Sequence, residues 1–491
     1  MSLLKKNRNY LFISIISFFW IFCFSFNKNI WVDELATIEF AISGGNIVQV
    51  VKNTLEGDPT VAPLFYILAH LWLKVISFNR ISLRILPEII VAISIFVIGK
   101  LGEKIGGKKI GIIAAIFTMG SVNYINFSAY SFRMYGLMFL FTTISIYLYI
   151  LRLEYIDTKR EWIYSILYGI NLTLLCYSQY FGALICLSLG IFDLILILLK
   201  KLKLKKLYPY FIVVLIFFPY LLIAYQNTID KWGAFWPAIP TYQSIITIFN
   251  ILIPYSTVIK WFFLLGIINL IYSFILSKKE KNYQYIKERK YQLLLLEIII
   301  IVLFTAFIYS KYINSTFSIW VDRYFVCLMP STIIVSAIAI KNTFQYFFKE
   351  KKALIISWVM LLLCMFYHEA IELYNYNIYQ PFEEASDYLK MQQDIYDQTT
   401  LVYVPIPCIE GWNYCVASKG KYPIFQSVGY YDNFPFIDLN NYETIYIVNF
   451  PAQITEVQIE ELNKNFSGQI IENTLNIWKY TRDKSMESRT E

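Results

Sequence analysis

Long apolar stretches separated by short basic clusters dominate the chain. Stretches near residues 10–26, 86–101, 110–127, 134–151, 162–178, 181–199, 208–225, 256–276, 292–310, 323–340 and 353–368 approach the roughly twenty apolar residues that a helix needs to cross a bilayer. The pattern predicts about eleven transmembrane helices. Between alternate pairs of them fall six clusters of Lys and Arg, at Lys5–Arg8, Lys100–Lys109, Arg152–Arg160, Lys200–Lys206, Lys278–Lys290 and Lys341–Lys352, which hold 25 of the 43 basic residues. By the positive-inside bias these six share the cytoplasmic side, the N-terminus included. Leu64–Ser77 is also apolar, but its fourteen residues suit an interfacial or re-entrant helix. Were it to cross, every later cluster would flip to the side opposite Lys5–Arg8. Tyr10–Phe26 follows a basic start without a small-residue cleavage site, as expected of an uncleaved first helix.

Residues 27–85 then form one long outer loop with interfacial helices, broken at Gly44-Gly45 and at Gly57-Asp58-Pro59. The other outer positions are the joins near 128–133 and 178–181, the loops 226–255 and 311–322, and everything after about 369. Past His368 the pattern turns to mixed polar and apolar. Residues 382–397 and Glu456–Asn465 read as helices, and Leu401–Pro405 and Thr444–Asn449 as strands, which predicts a small α/β domain outside the membrane over 369–482. Residues 483–491 read as a disordered tail.

The composition agrees with this organisation. With 57% hydrophobic and 16% charged residues, an ordinary soluble protein is excluded. The formal charge of +8 sits mostly in the short loops that orient helices, so it does not call for a nucleic-acid partner. Cys23, Cys176, Cys186, Cys327 and Cys364 lie in apolar stretches, where Cys is a small hydrophobe. Cys408 and Cys415 share the outer domain and are close enough in sequence to pair or to stay free.

Candidate chemistry collects at the outer ends of the spans. Trp31-Val32-Asp33-Glu34 sets two carboxylates directly after the first helix. Asp33 there can take a proton from an attacking hydroxyl or amine, or it can simply cap the helix expected over Glu34–Ser43. Asp58, in Gly57-Asp58-Pro59-Thr60-Val61-Ala62-Pro63, sits in a turn stiffened by two prolines. Arg133, in Ser131-Phe132-Arg133-Met134-Tyr135, and Arg323, in Trp320-Val321-Asp322-Arg323-Tyr324, fall at one depth, where guanidinium forks suit a lipid phosphate or snorkel to the interface. Tyr180, Trp320 and Tyr324 could stack on a sugar or belong to an interfacial aromatic belt. His70 and His368 lie in no metal-ligand spacing, so a zinc site is not expected, and an all-oxygen divalent-cation site using Asp33, Glu34 or Asp58 stays open. No phosphate-cradling glycine loop of the Walker or dinucleotide type is present, which argues against nucleotide-driven pumping.

The order of these motifs is informative. An acidic pair after the first helix is followed by Asp58-Pro59 leading to Pro63-Leu64-Phe65-Tyr66, then Arg133-Met134-Tyr135, Tyr180-Phe181-Gly182 and Asp322-Arg323-Tyr324. In this order they resemble the GT-C superfamily of membrane glycosyltransferases, and within it the protein O-mannosyltransferases and the aminoarabinose transferases of lipid A. The likeness is closest over residues 1–200 and returns at 322–330. It implies a GT-C type, mainly α polytopic membrane domain over 1–368 with the small C-terminal α/β domain outside. It also implies an inverting transfer of a monosaccharide from a polyprenyl-phosphate carrier to a glycan, lipid or protein acceptor on the outer face of a bacterial cytoplasmic membrane. Asp33 matches the family's catalytic acid, and Arg133 and Arg323 with Tyr324 match its Arg-x-Tyr and Arg-Tyr positions. Glu34, Asp58, Tyr135, Gln179 and Tyr180 complete the expected substrate site. The sequence departs from the family at Val61-Ala62-Pro63, where many relatives carry His-Pro-Pro, at Gln179, where His is frequent, and at Ser131, where Glu is frequent. Loss of both histidines favours a mechanism without a cofactor or metal. A polysaccharide polymerase or O-antigen ligase would keep its key residues in a large late loop. A lipid-linked glycan transporter would need polar helices at mid-bilayer, whereas Asp193 and Glu297 fall toward the cytoplasmic ends.

Overall fold

A computed structural model describes residues 2–26, 28–76, 79–232, 237–253, 264, 267–268, 283–347, 350–376, 380, 382–404, 409, 411–413, 427–428, 439–449 and 456–483. The expected span 256–276 therefore lies almost wholly outside the described residues, as do Cys408, Cys415 and the tail beyond Asp483. By their contacts the described residues divide into two units. Unit 1 comprises Met1–Ser25, Thr54–Phe65 and Arg84–Tyr376, and unit 2 comprises Phe26–Asn53, Tyr66–Leu83 and Asn377–Glu491.

Unit 1 is helical. Its helices are α1 (Ser2–Phe22), most of α5 (Arg80–Gly106), α6 (Lys108–Met119), α7 (Val122–Ser128), α8 (Tyr135–Glu154), α9 (Glu161–Ser178), α10 (Gly182–Leu198), α11 (Tyr208–Trp232), α12 (Tyr242–Leu252), α13 (Tyr283–Ile308), α14 (Met329–Phe347) and α15 (Lys351–Asn375). Every expected span except 256–276 coincides with a helix. Among the described residues six segments, containing α5, α8, α11, α13, α14 and α15, are long and apolar enough to cross a membrane. Counting α6 with α7 gives seven, although that expected single span bends by 61° at Gly120-Ser121. The helix α10 is apolar but has only 17 residues.

Small residues let these helices approach. Gly107, at φ 83°, turns the chain between α5 and α6, a conformation that glycine adopts without a Cβ clash. A Cβ on Gly111 would stand 2.6 Å from the Tyr10 hydroxyl oxygen, so α6 meets α1 only because that position is bare. A fully buried ion pair ties α8 to α10. Arg152 Nη2 donates to Asp193 Oδ2 at 3.0 Å and to Lys206 O at 3.0 Å. Tyr149 donates to Asp193 Oδ1 at 2.7 Å and Tyr210 to Oδ2 at 3.0 Å, so the carboxylate is fully engaged.

Unit 2 combines pieces distant in sequence. The first outer loop supplies α2 (Val32–Ile42), α3 (Ile47–Gly57, as far as Asn53) and α4 (Leu64–Val75, from Tyr66), and the C-terminal region supplies α16 (Phe382–Lys390), α17 (Glu456–Asn463) and a five-stranded sheet. The strands β1 (Thr400–Tyr403), β2 (Ser427–Val428), β3 (Thr444–Val448), β4 (Phe466–Glu472) and β5 (Ile477–Arg482) lie in the order β2-β1-β3-β5-β4. The pairs β1–β2 and β1–β3 are parallel, and β3–β5 and β4–β5 are antiparallel. Leu401, Tyr403, Ile445, Ile447, Leu462, Phe466 and Tyr480 form its core. The expected strands and the second expected helix are present within two residues of their ends, and the first is split into α16 and a 3-10 turn at Gln393–Tyr396. Within unit 2, α2 and α4 are joined by His70 Nδ1, 2.6 Å from Ala41 O, and by the Phe40–Tyr66 ring contact.

Candidate functional site

In unit 2, α2 begins at Val32 with Trp31 as its N-cap, so Asp33 stands inside the first turn and not at the cap. The capping expectation for Asp33 is corrected accordingly. Trp has no side-chain acceptor with which to cap, and the exposed amides of the first turn are met by other groups. Glu34, which is fully buried, reaches back with Oε2 to the Trp31 N–H at 3.3 Å. Val32 N–H donates to Gln380 Oε1 at 2.8 Å, across 348 residues of sequence. Further along α2, Gly411 N–H donates to Glu39 Oε2 at 3.1 Å, and a side chain at Gly411 would collide with Leu35 O. The helix that carries Asp33 is thus held by the C-terminal region, and Asp33 itself is half-buried. Sequence reading missed Gln380 and Gly411, which belong to no motif.

In unit 1 a second group of the expected residues converges. The charges of Asp58, Arg133 and Arg323 and the hydroxyl of Tyr135 all act on the Tyr324 hydroxyl. Local structure explains each position. Asp58 Oδ1 accepts from the Thr60 N–H at 3.1 Å and from the Thr60 hydroxyl, an Asx turn that fixes the carboxylate. Arg133 is buried in the irregular link before α8, and Tyr135 opens that helix with its ring centroid 6.4 Å from that of Tyr324. Arg323 and Tyr324 lie in a 3-10 turn over Asp322–Leu328, which leads into α14.

Gln179 is the C-cap residue of α9, and Tyr180 follows it. The Tyr180 hydroxyl lies 3.1 Å from Pro59 O and 3.0 Å from Val61 O, so its polar end ties down the Asp58 turn while its ring stays available to line a cavity. Beside this turn is a pocket of about 140 Å³, lined among others by Thr60, Gln179, Tyr180, Tyr225, Tyr309 and Tyr324. Tyr309 comes from a π-helical turn, Tyr309–Ile313, that ends α13, a distortion frequent at functional sites. Neither Tyr225 nor Tyr309 carried a sequence signal beyond lying at the end of an apolar stretch. Among the described residues no three His, Cys, Asp or Glu side chains converge in a way that could hold a metal.

The family described as dolichyl-phosphate-mannose-protein mannosyltransferase matches residues 60–223, a stretch that includes Arg133, Tyr135, Gln179 and Tyr180. No curated protein matches the sequence. Solved structures match the fold throughout. ArnT from Cupriavidus metallidurans, bound to undecaprenyl phosphate, aligns with a TM-score of 0.59 at 10% identity over 98% of this chain and 99% of its own. The Archaeoglobus fulgidus oligosaccharyltransferase, in complex with Zn and sulfate, aligns with a TM-score of 0.55 at 13% identity over 96% of this chain and 73% of its own. The motif resemblance is borne out: in fold over nearly its whole length, and in sequence over residues 60–223, this chain is similar to the GT-C superfamily of membrane glycosyltransferases.

Proposed function

We propose that this protein is an inverting glycosyltransferase that moves a monosaccharide from a polyprenyl-phosphate carrier to an acceptor on the outer face of a bacterial cytoplasmic membrane. The observation that carries this reading is the grouping of Arg133, Arg323 and Asp58 about Tyr324, next to an aromatic pocket. Two fixed guanidinium groups suit a phosphate, and the fold is shared with a protein whose structure holds undecaprenyl phosphate. In this reading residues 1–368 are the transferase domain, the loop 27–85 brings Asp33 to the acceptor, and 369–482 are extracytoplasmic.

The chemistry follows from these roles. The acceptor hydroxyl gives its proton to the Asp33 carboxylate as its oxygen attacks the anomeric carbon from the face opposite the phosphate. The anomeric C–O bond to phosphate breaks, and its electron pair leaves on the phosphate oxygen. Arg133 and Arg323 stabilise that growing charge more in the transition state than in the ground state, which is the condition for a rate effect. Glu34 holds the first turn of α2, and Tyr135, Gln179, Tyr180 and Tyr324 contact the donor.

The test is release of undecaprenyl phosphate from a panel of undecaprenyl-phosphate monosaccharides by the purified protein, with membrane extract as acceptor source. Asp33→Asn is expected to lower kcat by about 10²- to 10⁴-fold, the usual worth of a general base. Arg133→Ala is expected to lower kcat/KM by about ten- to a hundredfold, the worth of one charge-assisted hydrogen bond. Transfer at the parent rate by Asp33→Asn would refute the role given to that residue.

A further inference from the structure

The join between α9 and α10 brings two thiols together. Cys176 lies in the last turn of α9 and Cys186 in the second turn of α10, and both are free cysteines. Their Sγ atoms stand 3.6 Å apart, in direct contact. Gly182 permits this approach: a Cβ there would come within 2.8 Å of the Leu175 backbone, so α10 starts directly against the last turn of α9. Gly182 N–H donates to Gln179 O at 2.8 Å and Ala183 N–H to Tyr180 O at 2.9 Å, which closes the join. The two thiols differ in access, since Cys176 is fully buried and Cys186 is partly exposed. The few residues between them include Gln179 and Tyr180, which line the pocket, and the Tyr180 hydroxyl is the group tied to Pro59 O and Val61 O. Any bond across this contact therefore closes a short loop around the wall of the pocket.

We propose that Cys176 and Cys186 are a redox modification site, a dithiol that joins as a disulfide and clamps the turn bearing Gln179 and Tyr180. The oxidant is another disulfide, by exchange. The Cys186 thiolate, the accessible one, attacks a sulfur of that disulfide and expels one thiolate, which leaves a mixed disulfide on Cys186. The Cys176 thiolate then attacks Cys186 Sγ and expels the second thiolate. The protons of the two cysteines end on the two departing thiols, and the two electrons the pair gives up are taken by the reagent disulfide. This second step is intramolecular, between side chains already in contact, so it outruns attack by the buried Cys176 on a second molecule of reagent. In the orientation proposed above, the α9–α10 join faces outward, to the side where disulfides form and persist. Formation of the bond stands apart from the transferase reading, whereas its effect on the donor rests on that reading.

The test uses the full-length protein in nanodiscs, with dithiodipyridine as the disulfide. No Lys or Arg lies between Arg160 and Lys200, so trypsin releases a fragment, residues 161–200, whose only cysteines are this pair. That fragment is expected to be lighter by two hydrogen atoms after treatment and to regain them with a reductant, and the oxidised protein should show a Tm raised by a few degrees. Cys176→Ala should instead trap the reagent's pyridylthio group on Cys186, and Cys186→Ala should leave Cys176 unmodified, neither with a gain in Tm. A fragment that carries two reagent groups would overturn the proposal. So would one that keeps both thiols after the exposed Cys23 and Cys364 have reacted. In transfer from an undecaprenyl-phosphate sugar, the oxidised protein is expected to have a KM lowered several-fold with kcat little changed, because the turn is fixed before the donor arrives. An unchanged KM would overturn the clamp. Absence of turnover in both forms, with the lighter fragment present, would instead refute the transferase reading and leave the disulfide standing.

Discussion

At the scale of the residue, Asp33 and Glu34 are neighbours with different work. Glu34 closes the first turn of α2 through the Trp31 N–H, and Gln380 takes the Val32 N–H, so helix capping does not fall to Asp33. Glu34→Ala is therefore expected to lower the stability of unit 2 by about 1 kcal/mol, the usual worth of a cap, seen as a lower Tm. Asp33→Asn removes a charge from the same first turn, so it should lower stability by about 0.3–1 kcal/mol and, by contrast with Glu34→Ala, abolish most of the rate. Gln380 separates positioning from bulk stability. Gln380→Leu should cost about 1 kcal/mol and reduce kcat several-fold with little change in KM. Gln380→Glu keeps the acceptor oxygen but adds a negative charge close to Asp33. Two like charges repel, so Gln380→Glu should disturb the first turn of α2 and lower kcat more than Gln380→Leu does. Equal rates for the two variants would argue against Gln380 acting through Asp33. The acidic pair was legible in the sequence because it follows the first apolar stretch directly. Gln380 was not legible, because nothing local distinguishes a glutamine whose partner amide lies 348 residues away.

At the scale of the element, two polar clusters lock structure in place. In the C-terminal sheet, Asp394 accepts from Lys479 Nζ at 2.7 Å and from the Tyr446 hydroxyl at 2.5 Å, linking the 3-10 turn after α16 to β5 and β3. Partial burial works to raise the Asp394 carboxyl, but those bonds to Lys479 and Tyr446 outweigh it and hold it below the usual carboxylate range. Its folded pKa is depressed, so the stabilisation is present above the unfolded value near 4 and is lost as pH falls through the folded one. Acid titration of unfolding is expected to show that loss, and Asp394→Asn should flatten it. In unit 1, removing Asp193 would strand the buried Arg152 guanidinium, so Asp193→Ala should destabilise by about 3–5 kcal/mol, while the paired change to Arg152→Met with Asp193→Leu costs far less. The helices were legible because their apolar runs are long. The hairpin β4–β5 was missed because β4 is mostly exposed and polar, with only Phe466 buried, so it lacks the alternation of a half-buried strand. The break between α6 and α7 was missed because Gly120 and Ser121 do not interrupt the hydropathy.

At the scale of the whole molecule, the six basic clusters make a topology that can be measured. Reporter fusions after Lys201 and after residue 376 are expected on opposite sides of the membrane, the second one extracytoplasmic, and both on one side would refute the proposed orientation. The superfamily likeness was legible from the order of short motifs along the chain, none specific alone. The composite nature of unit 2 was not legible. Its first pieces, Phe26–Asn53 and Tyr66–Leu83, are made early, and its last, Asn377–Glu491, after about 300 further residues. At a synthesis rate of about 5–20 residues per second, that interval lasts roughly 15–60 s. For that time the turn bearing Asp33 has neither Gln380 for Val32 nor Gly411 for Glu39. Each newly made chain thus matures from its end backwards, and a ribosome stalled before residue 377 leaves a membrane-inserted polypeptide whose acid-bearing helix is still waiting for its clasp.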